Sequence, residues 1–448
     1  MRKPSISAAV LIAFILTLAA NVFQASALSG DQTEAAAAAA VAAPSLTFTV
    51  TKTEDTDDGA CDADCSLREA IAAANAEPSD DVIEFAAGAF GGSATRTIVL
   101  GGAELFIVRN GALSINGPGA ALLTISGGGA SRVLSVGERA RVTITGVRIS
   151  GGNGVGATES GNGGGILNDF ATLNLINVVV SGNAVNTNMG DFAGGIYNYR
   201  GTLTLENSVV TGNSGALGGG IYHSVFSGQM TLINTTVSSN TANFGGGIYT
   251  QSPTSISNSR IINNTAADTG GGVYNREVLT IAATTLSGNT ANNGDGGAIY
   301  DNPGGTSVTV GSLIAENTAG WRGGGIASLG TATVSASTVS GNVAGVSGGG
   351  IGNLGTFTLT DSTLSGNRAI SQGGGILNEG GTLSVTNSTV TGNSAAGASG
   401  GGIFNNTFAT ANLIHATIAF NSAATTGGGV FNQEGGTVNA QNTLIADN

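Results

Sequence analysis

An aliphatic residue behind a glycine pair returns every 25 to 30 residues, at Ile166, Ile196, Ile221, Ile248, Val273, Ile299, Ile326, Ile351, Ile376, Ile403 and Val430; at Ile299 the pair stands one residue back, as Gly-Gly-Ala. A second column keeps phase with it: Leu175, Leu205, Leu232, Ile256, Ile281, Thr309, Val334, Leu359, Val385, Leu413 and Ala440. A third, Val180, Val210, Val237, Ile261, Leu286, Ile314, Val339, Leu364, Val390, Ile418 and Ile445, is aliphatic in every unit. Around these columns apolar and polar residues alternate with a period of two, in segments rich in Thr, Val, Ile and Ser, which predicts short strands rather than helices. Eleven units with three apolar columns each predict a three-sided tube of stacked rungs, a quasi-one-dimensional protein whose function belongs to ladders of side chains.

Asparagine marks the corners. Asn183, Asn213, Asn240, Asn264, Asn289, Asn317, Asn342, Asn367, Asn393, Asn421 and Asn448 close the third strand of all units. Asn tolerates left-handed backbone and can bond to the Asn above and below, so this column is expected both to turn the chain and to tie rungs together. Six residues earlier runs a second column, Asn177, Asn207, Asn234, Asn258, Asn387 and Asn442, interrupted by Ala283, Gly311, Ala336, Asp361 and His415. That constant spacing predicts a fixed bend between the second and third strands. The stretches before each glycine run vary in length and are expected to be outer loops. The 75 glycines imply close approach of one rung's backbone to the next.

Composition points to export. Only 10% of the residues are charged. Arg2 and Lys3 precede an apolar run from Ala8 to Ala20, and Ala25-Ser26-Ala27 fits a small-x-small cleavage site, so residues 1–27 read as a signal peptide, with an uncleaved membrane anchor as the rival reading. Residues 28–45, Ala-rich from Ala35 to Ala43, read as a linker. Cleavage would remove two basic residues and no acidic one, taking the formal charge from −13 to −15, which argues against a nucleic-acid partner. Cys61 and Cys65, the only cysteines, are expected to pair in an exported chain. With His223 and His415 far away in sequence they make a poor zinc set, and no metal or cofactor is expected.

The amino-terminal third differs. Residues 46–52 alternate like an edge strand. Ser66 and Glu69 form a capping box that predicts a short helix, whose apolar face of Leu67, Ala70, Ile71 and Ala74 suits the end of a β-tube. Arg68 and Glu69 read as an exposed ion pair and a cap rather than as a catalytic pair. The run Thr56-Asp57-Asp58-Gly59-Ala60-Cys61-Asp62-Ala63-Asp64-Cys65, then SLREAIAAAN and Asp81-Val82-Ile83-Glu84-Phe85, resembles the CSLREA domain that begins many bacterial surface proteins. Residues 113–117, 123–127, 132–136 and 142–146 resemble the first rungs of pectate-lyase-like right-handed parallel β-helices. The repeats from residue 163 are similar to those of chlamydial polymorphic outer-membrane proteins: Gly296-Gly297-Ala298-Ile299 matches their first box, while their Phe-x-x-Asn box is only approached at Ala419-Phe420-Asn421. The resemblance implies an all-β, right-handed parallel β-helix over 91–448 behind a cap at 46–90, and a surface or outer-membrane location.

Candidate chemistry is thin. Asp268 and Asp295 stand in loops before consecutive glycine runs, and Glu277 and Asp301 follow the first strands of the same two rungs. Neighbouring rungs bring such pairs within about 5–10 Å, a range that includes glycosidase carboxylates, but neither a third acid nor a nearby Lys completes the set. They read as solvated loop carboxylates, and no catalytic residue is assigned. His223 and His415 read as variants within asparagine ladders. Gly294-Asp295-Gly296-Gly297-Ala298 lacks the tandem nine-residue spacing of a calcium-binding repeat. The residue after each first-column aliphatic is Tyr in five consecutive units, Tyr197, Tyr222, Tyr249, Tyr274 and Tyr300. Strand alternation sends these rings outward, as a stripe about 20 Å long for a sugar or partner protein, unless they are internal or roofed by loops as packing. The sequence reading is therefore an exported surface or extracellular protein, non-enzymatic, that binds a glycan or another cell. The alternatives are a polysaccharide lyase or glycoside hydrolase and a structural envelope component. The open carboxy-terminal end of the tube is a further expected contact.

Overall fold

The computed structural model describes residues 45–108, 111–137, 139–187 and 190–448. The signal peptide expected over 1–27 and all but the last residue of the expected linker lie outside the described residues. Among the described residues no helix is long and apolar enough to cross a membrane.

Each strand pairs with the same column one turn earlier and later, always in parallel. Ile166 lies against Ile196 and Ile196 against Ile221; Leu175 lies against Leu205, and Val180 against Val210. The chain is thus a right-handed parallel β-helix, the sense in which twisted parallel strands return to their own sheet. Three long sheets of 13, 15 and 14 strands form its walls. The first face runs from Leu105–Ile107 to Val430–Asn432, the second from Thr47–Val50 to Thr437–Gln441, and the third from Arg96–Val99 to Leu444–Ala446. Alternation sends one set of side chains into the bore, where the three aliphatic columns are buried in a single cluster until the last rungs. Each such residue contributes roughly 1.5–3 kcal/mol by leaving water.

A fourth ladder was not anticipated. Eight two-residue strands, from Thr241–Ala242 to Ser422–Ala423, stack just after the corner asparagines. Their alanines, Ala266, Ala291, Ala319, Ala344 and Ala369 among them, are buried in every strand but the last, so part of what reads as variable loop is a regular edge.

The corner asparagines form an unbroken ladder, buried from Asn183 to Asn421. Asn240 Nδ2 donates to Asn264 Oδ1 at 2.9 Å and to Val210 O at 3.0 Å, and the same Asn264 oxygen accepts the Asn240 amide at 3.1 Å. The pattern repeats from Asn183 to Asn448. Each net bond adds about 1 kcal/mol, and each is obligatory because an unmet buried amide costs more. The tie between rungs is as expected. The turn is not: the left-handed residue is the one before the corner, Gly182, Gly212, Ser239, Asn263 or Glu316, with φ of 53–65°. An asparagine in that conformation would aim its amide outward, whereas the ladder needs it inside. The second column does carry left-handed backbone in every unit, from Asn177 (φ 54°) to Asn442 (φ 48°), and forms the bend between second and third faces. The glycine runs answer the closest backbone approach: a Cβ on Gly247 would stand 2.7 Å from Gly272 O one rung on.

Thr47–Val50 and Asp81–Phe85 are already the first strands of the second face, so the amino-terminal cap shares a sheet with the helix it closes. Helix Leu67–Ala76 carries the expected capping box of Ser66 and Glu69. Its Leu67 and Ile71 pack on Leu105, Ile115, Ile125 and Leu134, plugging the bore. A short second helix, Ala87–Phe90, adds the buried Phe90. Cys61 and Cys65 are joined by a disulfide. Arg68 does not pair with Glu69; its guanidinium grips Asp55 through Nε and Nη2 at 2.9 and 2.8 Å, while Glu69 caps the helix. At the far end the last rung leaves Leu444 and Ile445 exposed by 58% and 48%.

Candidate functional site

On the first face the aliphatic residue points into the bore, its neighbour outward, and the third residue inward again. The five tyrosines therefore stand on the outside of the wall, where they form one continuous stack. Successive ring centroids are 5.2, 5.3, 4.5 and 4.9 Å apart from Tyr197 to Tyr300, with Tyr249 and Tyr274 nearly parallel. The stripe is not uniformly open. Tyr197, Tyr222 and Tyr249 are buried with Leu167 and Ala193 beneath Phe192, Leu217 and Phe244, which come from the loops before the glycine runs. Phe192 stacks on Tyr222 at 4.7 Å. Of the placements the sequence leaves open, these three rings take packing under loops, and burial raises the Tyr197 and Tyr222 hydroxyls well above their ordinary range.

The roof changes after Phe244. In the next three rungs the equivalent residue, just before the glycine run, is Thr269, Asp295 and Arg322. Tyr274 and Tyr300 are correspondingly only half-buried. Tyr274 donates to Asn302 Oδ1 at 3.0 Å. The Tyr300 hydroxyl is pushed up to about 12, first by burial and then by Asp295 and Asp268, so it is a donor at neutral pH. The stack stops at Tyr300 because the column continues as Ala327 and Gly352. Into that shallow notch lies Arg322: a Cβ on Gly352 would sit 3.3 Å from Arg322 Cβ. Its Nε reaches Glu379 at 3.3 Å, and its guanidinium lies 4.0 Å from the ring centroid of Trp321, which is 45% exposed.

Two of the four candidate acids meet here. Asp295 is nearly buried, and its Oδ1 accepts the Arg322 amide at 2.9 Å. Burial raises its carboxyl above the usual range, Arg322 opposes that, and Asp268 and Glu379 add to it. Asp268 accepts the Thr269 hydroxyl at 2.8 Å. The other two are separated by the wall, for Glu277 is exposed while Asp301 is fully inside.

Asp301 belongs to an interior ladder made by the third residue of each first-face strand. Asn168 donates to Asn198 Oδ1 at 2.6 Å, and Asn353, Asn378, Asn405 and Asn432 continue the pattern at 2.7 Å. Four variants interrupt it: His223, Thr250, Asp301 and Ser328. His223 is a ladder member as expected: Nδ1 meets Asn198 Nδ2 at 2.8 Å, which must be the donor, so the ring proton sits on the unpartnered Nε2. Burial lowers its pKa to about 4. Asp301 accepts from Asn275 Nδ2 at 2.9 Å and Ser307 Oγ at 2.6 Å, and burial raises it to about 6. Ser328, next in line, has an unpartnered hydroxyl. His415 takes its place in the outer asparagine column, 3.0 Å from Asn442. Among the described residues no group of three or more His, Cys, Asp or Glu could hold a metal ion.

Sequence reasoning found the tyrosines and Asp295 but not Trp321, Arg322 or the limits of the open segment. The signal was present in the residue four before each first-column aliphatic, which switches from Phe192, Leu217 and Phe244 to Thr269, Asp295 and Arg322. Chemically, the uncovered end offers aromatic surface, two carboxylates and a guanidinium within three rungs. That set can pack on the carbon face of a ring and exchange hydrogen bonds with hydroxyls.

No family model matches the chain, and no curated protein sequence matches it. Similar solved structures include the A-module of the mannuronan C-5 epimerase AlgE6 of Azotobacter vinelandii, at 13% identity, TM-score 0.43, covering 85% of this chain and 94% of that one. The Dettilon tailspike protein gp208 matches at 13% identity and TM-score 0.39, over 87% of this chain and 68% of its own. Pectate lyase Pel9A matches at 12% identity and TM-score 0.33, over 88% of this chain and 80% of its own. No residue role passes from them to this chain.

Proposed function

We infer that the chain is an exported polysaccharide-binding protein whose binding site is the uncovered end of the tyrosine ladder. The observation that carries this reading is the change of roof: three rings are sealed under Phe192, Leu217 and Phe244, and the next two stand half-open beside Asp295, Arg322 and Trp321. Trp321 and Tyr300 supply stacking surface, while Asp268, Asp295 and Arg322 address hydroxyl groups. The site lies along the tube axis, with a rung every ~4.8 Å, which suits a chain-like ligand. Export is supported by the features of residues 1–27, and a surface location by the resemblance of residues 56–85 to the CSLREA domain and of the repeats to polymorphic outer-membrane proteins. A protein so placed would adhere to a neighbouring cell through its glycans.

One observation favours a second reading, cleavage of the bound glycan: the raised carboxyl of Asp295 beside Asp268 has the character of a general acid. A glycan array probed with the mature chain, followed by incubation with neutral and uronic-acid polymers, separates the two. Binding without new reducing or unsaturated ends, lost in Trp321→Ala and Tyr300→Ala, supports a binding protein. Chain cleavage lost in Asp295→Asn makes it an enzyme. Failure to bind any glycan defeats both.

A further inference from the structure

The turn between the first and second faces carries a feature that the tyrosine site does not use. On three successive rungs it projects Phe170, Arg200 and Phe226, with φ of 55°, 54° and 60°. Left-handed backbone is unfavourable for bulky side chains and free of that cost for glycine. In other rungs the same turn places Gly304, Gly380 and Gly435 in that region, with φ of 91°, 75° and 84°, and once more a bulky residue, Phe408, with φ of 63°. The three bulky residues thus hold a strained conformation at a turn where glycine serves elsewhere in the same molecule.

What they display is a cation framed by rings. The Arg200 guanidinium lies 5.4 Å from the Phe170 centroid, 5.3 Å from Tyr199 and 6.0 Å from Phe226. Phe170 and Tyr199 meet edge-on at 5.5 Å. Phe226 is 80% exposed, and Phe170 38%. Among the described residues Arg200 has no ion-pair partner, and its only hydrogen bond is from its backbone amide to Ser224. An unpaired, ring-framed guanidinium on a chain of net charge −13 has an anion as its complement.

We propose that Phe170, Tyr199, Arg200 and Phe226 form a site for an anionic saccharide unit, its ring against Phe226 or Phe170 and its acid group on the Arg200 guanidinium. Two rungs separate the phenylalanines by roughly 10 Å, enough for adjoining sugar units to rest on both. The site is independent of the one at Trp321, about five rungs or roughly 24 Å along the axis from Arg200.

Dextran, carboxymethyl dextran and dextran sulfate share a backbone and differ in charge, so their affinities for the mature chain test the proposal. One or both charged polymers should bind at least tenfold more tightly than dextran, and the better of the two identifies the acid group. Arg200→Gly and Phe226→Gly should remove that preference while leaving the melting temperature unchanged or raised, because glycine relieves the left-handed backbone. Arg200→Lys should retain part of it, and Trp321→Ala should leave it intact, so failure here is distinguishable from failure of the tyrosine site. Equal affinity for dextran and both charged polymers would overturn the proposal, as would full charge preference in Arg200→Gly. A marked fall in melting temperature in both glycine variants would also overturn it, by showing the side chains to be packing.

Discussion

Replacing Asp301 by Asn should stabilise the protein at neutral pH and leave it nearly unchanged in mild acid. Asp301 is fully buried, with a carboxyl raised to about 6 from an ordinary 3.8. Between those values the folded state holds a proton that the unfolded chain has released. Stability is therefore full below about pH 4 and falls as pH rises through about 6. At about 1.4 kcal/mol per pH unit of difference, the loss is about 3 kcal/mol. An asparagine keeps the bond from Asn275 and offers an amide donor to Ser307 or to the unpartnered Ser328 hydroxyl, without a charge. Denaturant titrations of both proteins at pH 4 and pH 8 give the quantity that matters, the difference between them, in which other titrations cancel. The variant should gain roughly 2–3 kcal/mol at pH 8 and little at pH 4. An equal difference at both pH values, or a loss at pH 8, would refute the reasoning.

Two further outcomes are expected. Val339→Asp places a charge in the fully buried third column and should cost several kcal/mol and unravel adjoining rungs, read as a lower melting temperature and faster limited proteolysis; an unchanged melt would contradict the register. Tyr249→Ala, beneath its roof, should cost about 3–5 kcal/mol, whereas Tyr300→Ala at the open end should cost under about 2 kcal/mol, measured by denaturant titration; equal costs would mean that the two rings share one environment.

The architecture was legible because it is repeated. Three aliphatic columns and the corner asparagines give the strand register directly, and the structure pairs them as Ile196 with Ile221 and Asn240 with Asn264. The left-handed turn was assigned one residue late because Asn suits both a turn and a ladder, and only the inward direction of its amide separates the two. The short alanine ladder escaped because two-residue strands have no period to detect. Alternation placed the tyrosines outside correctly but is silent on what lies over them. That information resides in the loops, in Phe192, Leu217 and Phe244 against Thr269, Asp295 and Arg322. Alternation also places Asp301 inside, two residues after Ile299, so its separation from Glu277 was readable from the strand itself.

The chain contains a single tryptophan, Trp321, and it stands in the proposed site. Its emission is therefore a direct reporter. Titrating the protein with the neutral glycan that binds most tightly on an array, while following Trp321 fluorescence, should give a saturable change whose midpoint equals the independently measured dissociation constant. A glycan that binds with no change in Trp321 emission would place the binding surface elsewhere and contradict the assignment of the site to the open end of the tyrosine ladder.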